Sequence, residues 1–292
     1  MSAYENMFAQ IDAAANERAR QHDDDYLGDD GLLYCARCHT RRQLAIEIPL
    51  IGHRIVGTLC KCDQDRRAAE EEARKAYEER ERIKRLRKIG ITDAAYHSMT
   101  FANDDGLDPK MMEIMRRYVA NRHKVAAENI GMMLHGETDG GKTYLAACIA
   151  NALIDHGVSA MITTIPALIG AMQQDFEASR LHVLNQVRNV QFLILDDVGF
   201  ERRTPYASEK LYEIINARYL AKRPLIVTTN LTLDEIKDPA DMDYKRVFSR
   251  LIEMTTPVYV SGKERRQKIA REKSASLRDM LNRFDDMAGG DV

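Results

Sequence analysis

The run Gly136-Glu137-Thr138-Asp139-Gly140-Gly141-Lys142-Thr143 has the spelling G-x-x-x-x-G-K-[ST]. Such a loop lets backbone N–H groups converge on phosphate oxygens, brings a lysine ammonium to the outer phosphates and offers a hydroxyl, that of Thr143, to a magnesium ion. Tyr144 follows directly and is counted with the nucleotide-facing stretch. Asp139 places a carboxylate in a loop built for anions, and is expected to point outward or to moderate affinity. Further on, QFLILDDVGF ends an apolar run in Asp196 and Asp197. Two adjacent carboxylates are costly to bury without a cation. Beside a phosphate loop, Asp196 is expected to hold a hydrated magnesium ion, and Asp197 to orient or deprotonate the attacking water. The run IVTTN closes in Asn230, an amide suited to holding a water beside a terminal phosphate. In YKRVFSRLIEM, Arg246 and Arg250 stand at i, i+4 on one helical face, and guanidinium groups suit charge developing on a transferring phosphoryl group.

A second chemistry is spelled earlier. Four of the five cysteines form two pairs, Cys35 with Cys38 and Cys60 with Cys62. Four soft thiolates are the composition of a closed structural zinc site, with His39 and His53 as alternative ligands. Arg37 and Lys61, set between the ligands, are expected to lower the thiol pKa values. A segment of about 60 residues with few large apolar side chains needs such a staple to fold. Cys148, in AACIA, reads as a small core residue.

These groups need elements to position them. Short apolar runs at Ile130 to Leu134, Ala160 to Thr163, Phe192 to Leu195, Leu225 to Thr228 and Val258 to Val260 alternate with helical patterns. That alternation predicts an α/β fold, a central parallel sheet flanked by helices, from about residue 111 to 292. Between the cysteines and this core, DQDRRAAEEEARKAYEERERIKRLRKIG predicts one long solvated helix from Asp63 to Gly90, with Glu70 and Arg74, and Glu81 and Arg85, as i, i+4 pairs. No sustained apolar a/d seam is visible, so it reads as a spacer rather than a coiled coil. DDGLDP at 104 to 109 is a turn signal, and residues 63 to 110 form the helix and linker.

With 292 residues, 43 Lys plus Arg, 45 Asp plus Glu and a formal net charge of −2, no overall field draws the chain to nucleic acid. Only a local patch such as SGKERRQKIAREKSASLR offers one, either as a solvated helix face or as a contact for single-stranded DNA phosphates. No apolar run approaches the roughly 20 residues of a membrane span, and the first residues lack a signal-peptide pattern, so a cytoplasmic protein without a membrane partner is expected.

The ordered set GETDGGKTYLAACIANALI, FLILDDVG, IVTTNL, RVFSRLIEM and SGKERR, from about Phe101 to the end, resembles the ATPase core of bacterial helicase loaders of the DnaC/DnaI type and their IstB-like relatives, a branch of the AAA+ ATPases. Asp139 stands where such loaders often have Gly. The resemblance implies a P-loop AAA+ core without a C-terminal helical lid, binding ATP with magnesium. It implies that Asn230 is sensor 1, that Arg250 is an arginine finger given to a neighbouring subunit's ATP, and that Arg265, or Arg266 if the alignment slips by one, is sensor 2. Arg246 looks like a second basic residue of the same box. A finger supplied in trans implies a homo-oligomer. It also implies that residues 1 to 62 form a zinc-bearing domain gripping a hexameric DnaB-type replicative helicase, which the protein loads onto single-stranded DNA. The alternative is an IstB-like ATPase whose DNA-bound filament regulates transposition or recombination. Such transposition helpers generally lack a cysteine module, which favours replication.

Overall fold

The computed structural model describes residues 24–49, 52–104, 106, 108–138, 140–173, 176–199, 204–239, 242–261, 271, 273–275 and 277–278. The chain divides into two compact units, Met1–Arg80 and Glu81–Val292.

In the first unit, strands β1 (Tyr26–Leu27) and β2 (Leu33–Tyr34) pair antiparallel, and so do β3 (Gln43–Ile48) and β4 (Gly52–Gly57). These short ladders bury little apolar surface: Leu44, Ile46 and Ile55 remain exposed. Helix α1 (Lys61–Gly90) begins at the second cysteine pair and continues into the second unit. It forms as its charge pattern predicts, but with other partners. Glu70 approaches Arg66 at 4.0 Å, Arg74 approaches Glu78 at 3.8 Å, and Glu81 pairs with Lys84 at 2.7 Å. On an exposed helix each charge has neighbours in both directions, and pairs worth only about 0–1 kcal/mol leave the choice to rotamers.

The second unit contains α2 (Ala94–His97), a 3₁₀ turn (Phe101–Asn103), α3 (Pro109–Ala120), α4 (Arg122–Ala127), β5 (Gly131–His135), α5 (Lys142–Asp155) and β6 (Ala160–Thr164). It continues with α6 (Ile165–Gln173), α7 (Phe176–Asn189), β7 (Phe192–Asp196), α8 (Pro205–Ala221), β8 (Leu225–Thr229), α9 (Leu233–Lys237), α10 (Met242–Met254) and β9 (Thr255–Tyr259). The helix starts are written locally: Asp108 and Thr204 each cap a helix whose first residue is proline, and Thr232 with Glu235 forms a capping box.

The five strands form one parallel sheet in the order β6-β7-β8-β5-β9. Strand period splits the core in two. Met132, Leu134, Ile162, Ile194 and Ile226 pack with α3 and α5 on one face, while Met133, Met161, Leu193, Leu195 and Val227 pack with α6, α7, α8 and α10 on the other. Gly90 ends α1 against the sheet edge, where an added Cβ would lie 1.9 Å from the Ala160 carbonyl oxygen.

The last strand departs from expectation: it runs over Thr255–Tyr259 rather than Val258 to Val260. TTP carries no apolar signal and contains Pro257, which the sheet tolerates because β9 is an edge strand. Among the described residues, no helix is long and apolar enough to cross a membrane. The expectation that no lid follows Val260 falls mostly outside the described residues.

Candidate functional site

Strand β8 lies between β5 and β7, so the carboxyl ends of these three neighbours deliver the glycine loop, Asn230 and the acid pair to one edge of the sheet. That is where open parallel sheets bind ligands. The loop leaves β5 at Gly136, whose φ of 138° and whose approach to Val260, 2.3 Å from an added Cβ to the carbonyl oxygen, admit only glycine. Gly141 caps the N-terminus of α5. The Lys142 ammonium is buried inside the loop and donates to the carbonyl oxygens of Gly136 at 3.0 Å and Glu137 at 2.6 Å. Gly140 N donates to the Glu137 carbonyl, and Thr138 lies in the same turn. Burial first, and the Lys142 charge second, lower the pKa of neighbouring His135, which therefore leaves Lys142 as the local cation.

Asp196 is 5% exposed and its carboxylate accepts from three hydroxyls. Thr143 donates to Oδ1 at 3.0 Å, Thr228 donates to Oδ1 at 2.6 Å, and Tyr96 donates to Oδ2 at 3.1 Å. Asp197 is turned out of the strand by a left-handed backbone, φ 60°, at a strain of about 1–3 kcal/mol. Its N–H donates to Thr228 Oγ1 at 2.8 Å, and Asn230 Nδ2 donates to its Oδ1 at 3.0 Å. Lys142, Thr143, Asp196, Asp197 and Asn230 thus come together. The Tyr144 hydroxyl donates to the carbonyls of Thr100 and Asn103, tying the first turn of α5 to the 3₁₀ turn. Asp139, Arg265 and Arg266 lie outside the described residues.

Arg250 stands elsewhere. Among the described residues no hydrogen bond or ion pair joins it to the loop or the acid pair. Its guanidinium lies 4.6 Å from the Tyr212 ring centroid and 5.4 Å from that of Tyr219, whose hydroxyl donates to Glu253. With Arg246 and Lys245 these residues line an open groove of about 630 Å³.

In the first unit the four sulfurs of Cys35, Cys38, Cys60 and Cys62 lie within 4.8 Å of one another. Tetrahedral zinc with Zn–S bonds of about 2.3 Å would set sulfurs roughly 3.8 Å apart, so the donor set fits that ion. Neither alternative histidine belongs to this group: His39 meets the Tyr26 hydroxyl, and His53 sits on β4 opposite Glu47. Of the two residues expected to lower the thiol pKa values, Arg37 acts on Cys35 through its backbone N–H rather than its charge, and Lys61 is not among the leading causes of the four thiols' shifts. Cys38 is lowered to about 5 by the Thr40 hydroxyl and the Cys62 N–H, whereas burial raises Cys60. The cation that reaches the cluster is Arg42, 1% exposed, which donates to Cys35 Sγ at 3.6 Å, hydrogen-bonds Asp63 at 2.7 Å and ion-pairs with Asp25 at 2.7 Å. Cys148 is fully buried in the second unit's core.

Tyr96, Thr228, Tyr212, Tyr219, Arg42, Asp25 and Asp63 had no motif to announce them. Thr228 alone left a trace, two residues before Asn230 on the same strand.

The family model for IstB-like ATP binding proteins matches residues 65–273. The replicative helicase loader DnaI of Bacillus subtilis (strain 168) is 24% identical over 180 residues, 57% of this chain and 58% of that protein. The replicative helicase loader DnaC of Escherichia coli (strain K12) is 32% identical over 104 residues, 35% of this chain and 42% of that protein. The chain thus spans about half the length of these curated relatives. A crystal structure of the DnaC helicase loader aligns with a TM-score of 0.48 at 23% identity, over 57% of this chain and 99% of that one.

Proposed function

We propose that this chain, which belongs to the IstB-like ATP-binding protein family, is an ATP-hydrolysing loader of a hexameric DnaB-type replicative helicase onto single-stranded DNA. The observation that carries the reading is that a glycine-loop site and a four-thiolate cluster occur in one chain. The first supports an ATP-driven machine, and the second supports a separate zinc-stapled domain, residues 1 to 62, for gripping a partner. Residues 63 to 110 serve as the connecting helix and linker, and residues 111 to 292 as the ATPase domain.

In this reading Lys142 and the loop amides bind the triphosphate, while Thr143 and Asp196 hold magnesium. The ion supplies charge neutralisation at the outer phosphates. Asp197 takes the proton of the attacking water, and Asn230, bonded to Asp197, holds that water beside the γ-phosphate. Arg250 lies away from its own chain's loop, which supports its use on a neighbouring copy's nucleotide and so a homo-oligomer. Arg265 is proposed as sensor 2. Zinc held by Cys35, Cys38, Cys60 and Cys62 is structural.

The test is co-elution with purified replicative helicase. Stable binding that is lost in Cys35→Ser and Cys62→Ser is expected. Absence of binding by the zinc-loaded native chain overturns the loader reading in favour of an ATP-bound filament that regulates transposition.

A further inference from the structure

The Tyr96 hydroxyl plays no part in the chemistry above, yet it reaches the carboxylate at the centre of it. A carboxylate offers about four lone-pair positions. In Asp196 both positions on Oδ1 are taken, by Thr143 at 3.0 Å and Thr228 at 2.6 Å. One of the two on Oδ2 is taken by Tyr96 at 3.1 Å. A single acceptor position remains. The terminal torsion of an aspartate is broad and roughly two-fold, so bonds to one oxygen leave the other free to tilt. The third donor removes that freedom.

We propose that Tyr96 is a positioning residue for the magnesium site: its hydroxyl fixes the Asp196 carboxylate so that one lone pair of Oδ2 is left for the hydrated cation. The proposal rests on the reading of Asp196 as the metal-holding acid.

Tyr96 is itself held in place. It is 7% exposed within the core that packs on α5. Asn151 Nδ2 donates to the carbonyls of Tyr96 at 2.9 Å and Met99 at 3.0 Å, and Arg87, in the last turn of α1, donates to Asn151 Oδ1 at 2.6 Å. The end of the long helix therefore sets the position of a hydroxyl on the metal-holding acid.

The experiment is a magnesium titration of the full-length protein's affinity for a fluorescent ATP analogue, a binding readout independent of turnover. Tyr96→Phe removes only the donor. Outer-sphere partners of a metal ligand are worth about 10-fold or more in metal affinity. The magnesium midpoint should rise about 10-fold, with metal-free nucleotide affinity unchanged. A folded Tyr96→Phe protein with the native midpoint overturns the proposal. Should that variant not fold, Arg87→Ala replaces it, with a smaller rise expected because Arg87 reaches Tyr96 only through Asn151, and an unchanged midpoint again refuting the idea. Asp196→Asn, run alongside, separates the two failures. If it loses magnesium dependence while Tyr96→Phe keeps it, only the positioning role falls. If Asp196→Asn keeps the native dependence, the metal assignment itself has failed.

Discussion

The hydroxyl of Thr143 donates to Asp196 Oδ1 across 3.0 Å, joining two motifs that stand 53 residues apart in sequence. One motif carries the loop amides proposed to bind phosphate and the other an acid, and neither would do nucleotide chemistry alone. Their meeting makes the site's parts separable by mutation.

Lys142→Ala should abolish nucleotide binding, because the ammonium that Gly136 and Glu137 carbonyls now hold is the group that would neutralise the outer phosphates. Asp197→Asn should bind ATP with near-native affinity and lose turnover by 100-fold or more, an order set by the usual worth of a general base, about 10²–10⁴. Equilibrium dialysis and phosphate release measure the two effects, and equal loss of binding in both variants would contradict the division of roles.

Arg250→Ala should leave monomer binding intact and remove the stimulation of hydrolysis that comes with assembly, which a finger in trans typically raises about 10³–10⁵-fold. The two rings beneath Arg250 sharpen the expectation. A cation over an aromatic face gains about 0.5–2 kcal/mol, so Tyr212→Leu should lower stimulated turnover several-fold without altering binding. Turnover against protein concentration is the assay. Stimulation unchanged in Arg250→Ala would remove that residue from the site.

Much of this could be read from the sequence, and for stated reasons. β5, β7 and β8 announce themselves because a parallel strand is covered on both faces: each is buried throughout and reads as an apolar run up to its polar carboxyl end. The loop is legible because its glycines answer to backbone geometry fixed within a few residues. Tyr96 was not legible, since it meets Asp196 across 100 positions from a four-residue helix that has no motif. Arg42 was equally hidden: nothing in the run RRQL says which arginine turns inward. Neighbouring Arg41 stays at the surface with Asp30, and only the packed cluster decides.

Arg42→Ala should weaken zinc retention. Removing the guanidinium takes a donor from Cys35 and leaves the buried Asp25 without its cation, while Asp63 keeps only the more exposed Arg66, a loss of about 3–5 kcal/mol by analogy with broken buried pairs. Zinc release monitored with a colorimetric chelator, on the protein as purified, should be faster than native by at least ten-fold. Arg41→Ala, whose pair with Asp30 is largely exposed, should release zinc at the native rate.

Stripping the metal with a chelator should separate the two units' stabilities. Among the described residues the first unit buries few apolar side chains beyond Leu32, Leu33, Cys35 and Cys60, so a zinc ion held by the four cysteines would carry much of its fold. The second unit holds two apolar cores and needs no metal to keep them. Circular dichroism should accordingly show a partial loss on chelation, with ATP affinity in the presence of re-added magnesium retained. Loss of nucleotide binding together with the zinc would mean that the loop site depends on the first unit's fold.

Arg218 offers a prediction about stability with no catalytic content. It is fully buried and donates to the carbonyls of Val187 at 3.0 Å, Val190 at 2.7 Å and Gln191 at 2.9 Å, and also to that of Pro224. These carbonyls close the end of α7 and the approaches to β7 and β8; that of Pro224 also accepts from the Leu193 N–H at 3.3 Å. Arg218→Met keeps much of the volume but removes the side-chain donors to the carbonyls of Val187, Val190 and Gln191, at about 1–3 kcal/mol for each group left unsatisfied. The expected result is a loss of several kcal/mol in urea unfolding of the second unit, a large fraction of the margin a domain has. Nucleotide affinity at low temperature, where the unit is still folded, should be unaffected because the residue touches none of the loop, the acid pair or Asn230.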